Sequence, residues 1–498
     1  MRKRRLFYNT ISSVIYQITV VVCGFVLPRL ILNTYGSQVN GLVNSISQFL
    51  GIISFLQLGV GCVVQSALYK PLAEKRIDEI SRIIASASKF FRTIAGILVV
   101  YTAFLAVVYP VLINKDYSAL YTSTLIVIIS ISSFAQYYFG LVNFLLLSAD
   151  QRGYIQYTLQ TLATILNTVI CFILVNKGFT IHAVKLAASL IYLIVPVTAY
   201  IYVKNHYDIN ARIKYDTEPI EQKWNGVAQH VAACVLDNTD TIVLTLMSTL
   251  ANVSIYSVHF MVVNGVKQLL ISATNGIHAL MGELWAKQER DKLESCFSMT
   301  EWAIHSGTVF IFGVTAILIV PFVLVYTAGI TDADYKQPLF AFLIVIANAG
   351  HCLRTPYNTM ILAAGHYKQT QSNYIVAAAM NVVVSVLTVK LWGLVGVAIG
   401  TLAAMMYQTV WMAIYNSKHI LKRNIAYFIK QMSVDVLSFV LMLFASSQFE
   451  LSEVSYFAWF ILAVKVSLIS AGVMLVLNAV FYREKLISLL SILKLKRA

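Results

Sequence analysis

The chain of 498 residues is 58% hydrophobic and 12% charged, whereas a soluble domain averages about 25% charged and 45–50% apolar residues. Half the usual charge excludes an ordinary water-facing surface. The net charge of +15 raises nucleic acid as a partner, but the Lys and Arg residues form short clusters between apolar runs and not one basic face, which argues against it.

In chain order, the basic start MRKRRLFYNT leads into an apolar stretch that ends in Pro28, Arg29 and Asn33 without a small-x-small cleavage site. It reads as a retained first helix and not as a removed signal peptide. Fourteen spans are expected, at 10–33, 39–68, 93–114, 121–147, 154–176, 180–203, 224–248, 252–281, 302–327, 338–363, 371–391, 394–416, 428–449 and 456–481. Apolar segments of about 20 residues cross a hydrocarbon core of about 30 Å. Ile77, Ile80, Ile83 and Ile84 fall at helical spacing among Lys75, Arg76, Asp78, Glu79 and Arg82. That pattern fits either an amphipathic segment on the membrane surface or an extension of the third span.

The basic residues test this map. With the N-terminus inside, the inner segments hold 28 of the 37 Lys and Arg and the outer loops hold four, namely Lys115, Lys177, Lys336 and Lys390. The split places both termini in the cytoplasm under the positive-inside rule. The outer loops are all short, leaving no room for an extracellular domain.

Two parts of the chain echo each other at an offset near 214. LAEKRIDEI (72–80) matches LWAKQERDK (284–292) in charge pattern, LINKDY ending at Tyr117 matches ITDADY ending at Tyr335, and LLLSADQRGY (145–154) matches MILAAGHYKQ (360–369). The last two are each followed by a span with a central Asn, Asn167 or Asn381. A fixed period with preserved order is the mark of a repeat. The reading is an all-α membrane protein with a six-helix lobe at 1–210, a second at 211–420, and two further helices with a basic tail at 421–498. Six helices per unit make the repeat parallel, an arrangement that typically surrounds a central cavity and rocks to alternate access.

Charges inside spans are costly and mark sites. Arg29 follows Pro28 near the end of the first span, Lys267 lies mid-way along the eighth, and Arg354 lies in the tenth just before Pro356. Asp237, Asn238 and Asp240 interrupt the seventh span. These residues together suggest a cationic cavity for an anionic, phosphate-bearing substrate, with Arg supplying a forked donor set and Lys a point charge. The Asp pair either takes part directly or neutralises Arg or Lys between helices. Lys185 and Lys465 are read as snorkelling and Asp435 as interfacial. His230, His259, His278, His305 and His351 are read as structural. Cys23, Cys62, Cys171, Cys234 and Cys352 lie in apolar runs and Cys296 in a charged loop. They lack CxxC or metal-ligand spacing, and no cofactor or metal is implied. No GxxxxGK[ST] or GxSxG sequence is present, so transport would be passive, gradient-coupled or driven by a partner, and an enzyme is not expected.

The opening NTISSVIYQITVVVCGFVLPRLILNTYGSQVNGLVNSISQFLGIISFLQLGVGCVVQSALYKPLAEK (9–75) resembles that of the Wzx-type polysaccharide flippases, in the multidrug/oligosaccharidyl-lipid/polysaccharide exporter superfamily. Its cues are Pro28-Arg29 followed by Tyr35-Gly36, a long second helix and LGVG (58–61). DNTDTIVL (237–244) with SIYSV (254–258) resembles the start of the family's second lobe. The resemblance implies flipping of an undecaprenyl-diphosphate-linked oligosaccharide across the bacterial cytoplasmic membrane for capsule, exopolysaccharide or wall glycan. It also implies a monomer in the lipid bilayer that works alongside glycan polymerase machinery, with Arg29 as the family's basic position in the first helix. Within the same superfamily a lipid II flippase or a drug/cation antiporter is an alternative; the antiporter usually carries acidic residues in its first lobe, and the first six spans here have none. A membrane glycan polymerase or ligase is the enzyme alternative, and the short outer loops disfavour it.

Overall fold

The computed structural model describes residues 2–112, 117–210, 213, 219 and 227–488. Lys115, the tail residues Lys494, Lys496 and Arg497, and the side chains of Arg2, Lys3, Arg4, Cys62, His230, Cys234, Asp237 and His278 lie outside the described residues. Among the described residues the chain is helical, with no strand. The elements are α1 (Arg2–Gly51), α2 (Phe55–Glu74), α3 (Ile77–Leu112), α4 (Ala119–Ala135), α5 (Leu141–Ala149), α6 (Gly153–Asn176), α7 (Ile181–His206), α8 (Val227–Met247), α9 (Leu250–Ala286), α10 (Arg290–Tyr326), α11 (Pro338–Leu353), α12 (Thr355–Ala363), α13 (Tyr367–Trp392), α14 (Leu394–Tyr415), α15 (Ala426–Ser446) and α16 (Tyr456–Phe481).

Eleven helical stretches among the described residues are long and apolar enough to cross a membrane. The first of them is two rods, because Gly36 interrupts α1 with φ 82° and ψ 174°, a backbone region that only glycine enters without steric cost. Adding α8 and α9, of 21 and 37 residues, completes fourteen, and the chain is a multi-pass membrane protein. The third of these rods starts at Ile77 and runs unbroken to Leu112. The amphipathic stretch is therefore an extension of that span, with Ile80, Ile83 and Ile84 buried and Ile77 exposed.

The chain divides into two compact units, residues 1–246 and 247–498. In the first, α1 packs on α6, α6 on α7, and α4 between α3 and α7. Leu27, Leu30 and Tyr35 of α1 close over Cys171, Val175 and Val184. The seventh span, α8, meets this unit at a serine: Thr245 Oγ1 lies 2.8 Å from Ser45 Oγ, and the Tyr109 hydroxyl donates to that serine oxygen at 2.7 Å. The loop end of the unit is clasped by Asp150, whose carboxylate accepts from Arg5 at 3.2 Å, Arg152 Nε at 2.8 Å and the Tyr207 hydroxyl at 2.6 Å. Burial first, then the neighbouring Asp150, pushes the Tyr207 hydroxyl above its ordinary range. Asn9 completes the clasp by donating to the Gln151 carbonyl and accepting from Tyr154 N.

The second unit stacks α9, α10 and α11, with α13 packed on α14 and α14 on α11. The two helices beyond the repeat, α15 and α16, both pack on α10. Apolar clusters around Met442 and Val466 fill these contacts, and Asn478 of α16 accepts from Trp302 Nε1 at 2.6 Å and from Ser306 at 3.2 Å.

The repeat shows in hydrogen bonds. In α6, Cys171 Sγ donates to Asn167 Oδ1 at 3.4 Å and approaches the Val184 carbonyl at 3.9 Å. In α13, Ser385 Oγ donates to Asn381 Oδ1 at 3.0 Å and approaches the Val397 carbonyl at 3.4 Å. Near the loop end, Arg152 donates to the Tyr202 hydroxyl at 3.3 Å, while His366 Nδ1 meets the Tyr415 hydroxyl at 2.9 Å. The fourth span of each repeat is broken at the same place. A π-helical turn at Gln136–Gly140 separates α4 from α5, and Arg354 separates α11 from α12, 214 positions beyond Gly140.

The crossing of α13 and α14 depends on a bare backbone. A Cβ at Gly400 would overlap Ser385 Oγ and lie 2.8 Å from Ser385 N, whereas one at Gly472 meets nothing within 4 Å. Gly400→Ala is expected to lower stability by about 2 kcal/mol through overpacking. Gly472→Ala is expected to raise it by about 0.5 kcal/mol from helix propensity. Thermal melts of the detergent-purified variants check both signs.

Candidate functional site

The break between α11 and α12 has a covalent cause. Pro356 has no N–H to give the Cys352 carbonyl, and its ring opposes continuation of the helix through that point. Arg354 stands at the junction, closing α11 with its N–H on the Gly350 carbonyl at 3.1 Å and opening α12 with its carbonyl on Asn358 N at 3.0 Å. Its side chain is 8% exposed. Across from the junction, α9 packs against both α11 and α12 and carries Lys267, 6% exposed, with the ammonium 5.4 Å from the centre of the Phe260 ring. Thus two cations predicted separately from the sequence share one region of the second unit.

His351 joins them. Arg354 Nη2 lies 3.0 Å from His351 Nδ1. A guanidinium only donates, so Nδ1 must carry the lone pair and the ring is neutral with its proton on Nε2. Both the Lys267 and the Arg354 charges act electrostatically on His351 and on Cys352. The two cations therefore act on one neutral ring. Among the described residues, Lys267 has no carboxylate within salt-bridge distance, which in a low-dielectric surrounding is a cost that a bound anion would offset.

Sequence reasoning missed Gln408. It is fully buried on α14, and both amide atoms lack a hydrogen-bond partner. Its neighbour Thr409 donates to the Gly350 carbonyl at 3.0 Å, one turn before Arg354. The only signal was a lone amide in the apolar run TLAAMMYQTVWMAIY.

The remaining predicted residues lie in the first unit. Arg29 is half-buried on α1, directly after Pro28. Asn238 is half-buried and Asp240 buried on α8, while the Asp237 side chain falls outside the described residues. The polar run does not unwind its helix, since α8 is continuous from Val227 to Met247, with Thr239 and Thr245 hydroxyls answered by carbonyls of the preceding turn. Among the described residues, no three His, Cys, Asp or Glu side chains gather as metal ligands.

Two sequence readings change. Asp435 is not interfacial but 5% exposed, because α10 brings His305 against it at 2.5 Å. Glu301, assigned no role from sequence, is 3% exposed and holds Arg423 through both carboxylate oxygens, at 2.7 and 2.8 Å. These buried charges are paired, unlike Lys267, so stability and charge removal should separate. Glu301→Gln, which strands Arg423, is expected to cost about 3 kcal/mol, whereas Lys267→Met should cost nothing or stabilise slightly. Melting curves of the two variants in one detergent test the contrast.

Neither a protein-family model nor a curated protein matches the chain. Its backbone does match solved structures. The lipid II flippase MurJ, in an inward closed conformation, superposes with TM-score 0.73 at 14% identity, covering 96% of this chain and 99% of that one. A transporter of the MOP superfamily from Pyrococcus furiosus, described as having a binding pocket of reversed polarity, gives 0.58 at 13% identity over 84% and 96%. The MATE transporter VcmN of Vibrio cholerae, solved as a point mutant, gives 0.56 at 12% identity over 85% and 98%. At these identities the likeness is one of fold, and the chain has the fold shared by MurJ and the MATE transporters.

Proposed function

We propose that the protein is a flippase for a lipid-linked oligosaccharide, moving an undecaprenyl-diphosphate-linked substrate across the bacterial cytoplasmic membrane by alternating access. The observation that carries this reading is the pairing of Lys267 with Arg354 around a neutral His351 at a broken helix. A forked guanidinium beside a point-charge ammonium suits the oxygens of a diphosphate, and Lys267 has no carboxylate within salt-bridge distance among the described residues. Broken helices at membrane depth are where transporters place their binding groups. The fold shared with a lipid II flippase supports a lipid-linked cargo. The lack of acidic residues in the first six spans weighs against a drug/cation antiporter. Arg29 in the first unit is proposed as a further phosphate contact, and Asp237, Asn238 and Asp240 as the polar groups that tune its half of the pathway. The same reading puts both termini in the cytoplasm, the monomer as the working unit, and glycan polymerases as the consumers of the flipped product. Lipid II is the alternative cargo.

Deletion of the gene in its host, with complementation, tests the reading. Loss of surface glycan with lipid-linked precursor retained on the inner leaflet is expected. Arg354→Ala and Lys267→Met should fail to restore it at normal expression. Arg354→Lys keeps the charge but loses the fork, and is expected to retain about a tenth of the activity, the equivalent of about 1.4 kcal/mol. Normal surface glycan with full rescue by both charge-removing variants would sink the proposal. Precursor that is flipped but unpolymerised would point to the polymerase alternative.

A further inference from the structure

We infer that His305, Asp435, Tyr357 and Glu301 form a proton-binding site in the second unit, with a proton held on His305 in this conformation. The argument rests on counting donors. Glu301 is engaged by Arg423 through both oxygens, at 2.7 and 2.8 Å, as expected of an ionised carboxylate. The Tyr357 hydroxyl lies 2.7 Å from Glu301 Oε1 and has one proton, which it donates there. The same hydroxyl lies 3.3 Å from His305 Nε2. Its proton being spent on Glu301, it can only accept from His305, so Nε2 must carry hydrogen. On the other side of the ring, Nδ1 faces Asp435 Oδ2 at 2.5 Å, and a carboxylate accepts. With Asp435 ionised, as donation from Gln431 to its other oxygen suits, both nitrogens donate and the ring is doubly protonated.

The charge balance agrees. Buried together are two carboxylates, Glu301 and Asp435, and one guanidinium, Arg423, whose side chains are 3%, 6% and 8% exposed. A proton on His305, fully buried, places a cation against Asp435, whose carboxylate has no other cation within salt-bridge distance among the described residues, and its removal leaves that carboxylate without a contacting counter-charge, which burial penalises. The surrounding titratable groups come from every element packed there. Gln431, one turn before Asp435 on α15, donates to Asp435 Oδ1 at 3.1 Å and is neutral. Beyond α16, the Tyr482 hydroxyl is buried without a hydrogen-bond partner and feels both Asp435 and Glu301. Lys430 and Lys485 lie over its ring at 5.3 and 5.5 Å, and Lys485 donates to the Ser298 carbonyl. Among the described residues, α9 and α11 add no titratable partner to His305.

A route for the proton is also present. A small pocket, with room for about one water, is lined by Tyr357, Asn416, Arg423 and Phe428, among others. Asn416 is 1% exposed, and its Oδ1 has no hydrogen-bond partner. That orphaned acceptor on a cavity wall suits a water able to relay a proton to the Tyr357 hydroxyl. On deprotonation of His305, the Tyr357 proton can turn from Glu301 to Nε2, so a single hydroxyl rotation connects the cavity to Asp435. Tyr357 stands one turn beyond Arg354 on α12, so the proton site and the candidate anion site share one short helix.

The test is ¹⁵N NMR of histidine-labelled protein in lipid bilayers at pH 7, with His305→Gln to assign the ring. The expected wild-type spectrum has protons on both His305 nitrogens, and Asp435→Asn, which removes the carboxylate that the imidazolium faces, should leave a neutral ring with one bare nitrogen. Should His305→Gln fail to fold, Asp435→Asn identifies the same ring by its displaced Nδ1 signal. A wild-type ring with one bare nitrogen, or an Asp435→Asn ring that still carries both protons, overturns the inference. The measurement needs no transported substrate, so its failure is separate from failure of the flippase reading.

Discussion

A polar group inside a membrane has no water to turn to, so every break and every charge must be answered by another part of the protein. That demand organises this chain. Hydroxyls along the helices bond back to the carbonyl one turn earlier, as Thr245 does to Thr241 and Thr327 to Val323. Buried acids find bases on other helices, as Glu301 finds Arg423 and Asp435 finds His305. Against this background Lys267 is conspicuous, with an aromatic face nearby and, among the described residues, no acid.

The repeat adds a second kind of order. The Asn–Cys pair of α6 and the Asn–Ser pair of α13 make the same two bonds, with a thiol in one unit and a hydroxyl in the other. A thiol and a hydroxyl differ in size and strength as donors, yet both cap an asparagine oxygen and reach the adjoining helix. The geometry has therefore been kept while the chemistry drifted. At the broken fourth span the reverse holds. The break is retained, but glycine stands at 140 and arginine at 354, so only the second unit carries a charge there. Equivalent frames have been given different electrostatic tasks.

Much of this was legible in the sequence because it is local. The span count, including the division of the first long helix into 10–33 and 39–68, follows from runs of apolar residues, and the repeat from Asn167 and Asn381 at constant offset. The break at Arg354 follows from Pro356 two residues on. What stayed hidden depends on which helices become neighbours. Glu301 and Arg423 are 122 residues apart, and His305 and Asp435 130 apart. Apolar runs facing lipid and apolar runs facing protein look alike, so no periodicity says that α15 lies against α10. Asp435 looked interfacial for that reason, and Gln408 and Asn416 passed as stray amides. Lys267 and Arg354 were each found as costly charges, but only packing of α9 on α11 and α12 puts them beside one ring.

The uneven division of the tenth span has a mechanical consequence. The junction at Arg354 leaves a sixteen-residue arm on one side and a nine-residue arm on the other. The shorter arm is about 13 Å long, so a swing of about 20° at the joint would carry its far end about 5 Å. The neighbouring α10 is continuous from Arg290 past Glu301 and His305, and its one proline, Pro321, lies in its last turns, so the part that faces α12 serves as a post. A lever hinged at a charged pivot and braced against a post can convert a small electrical change at the pivot into a displacement comparable to one helical turn.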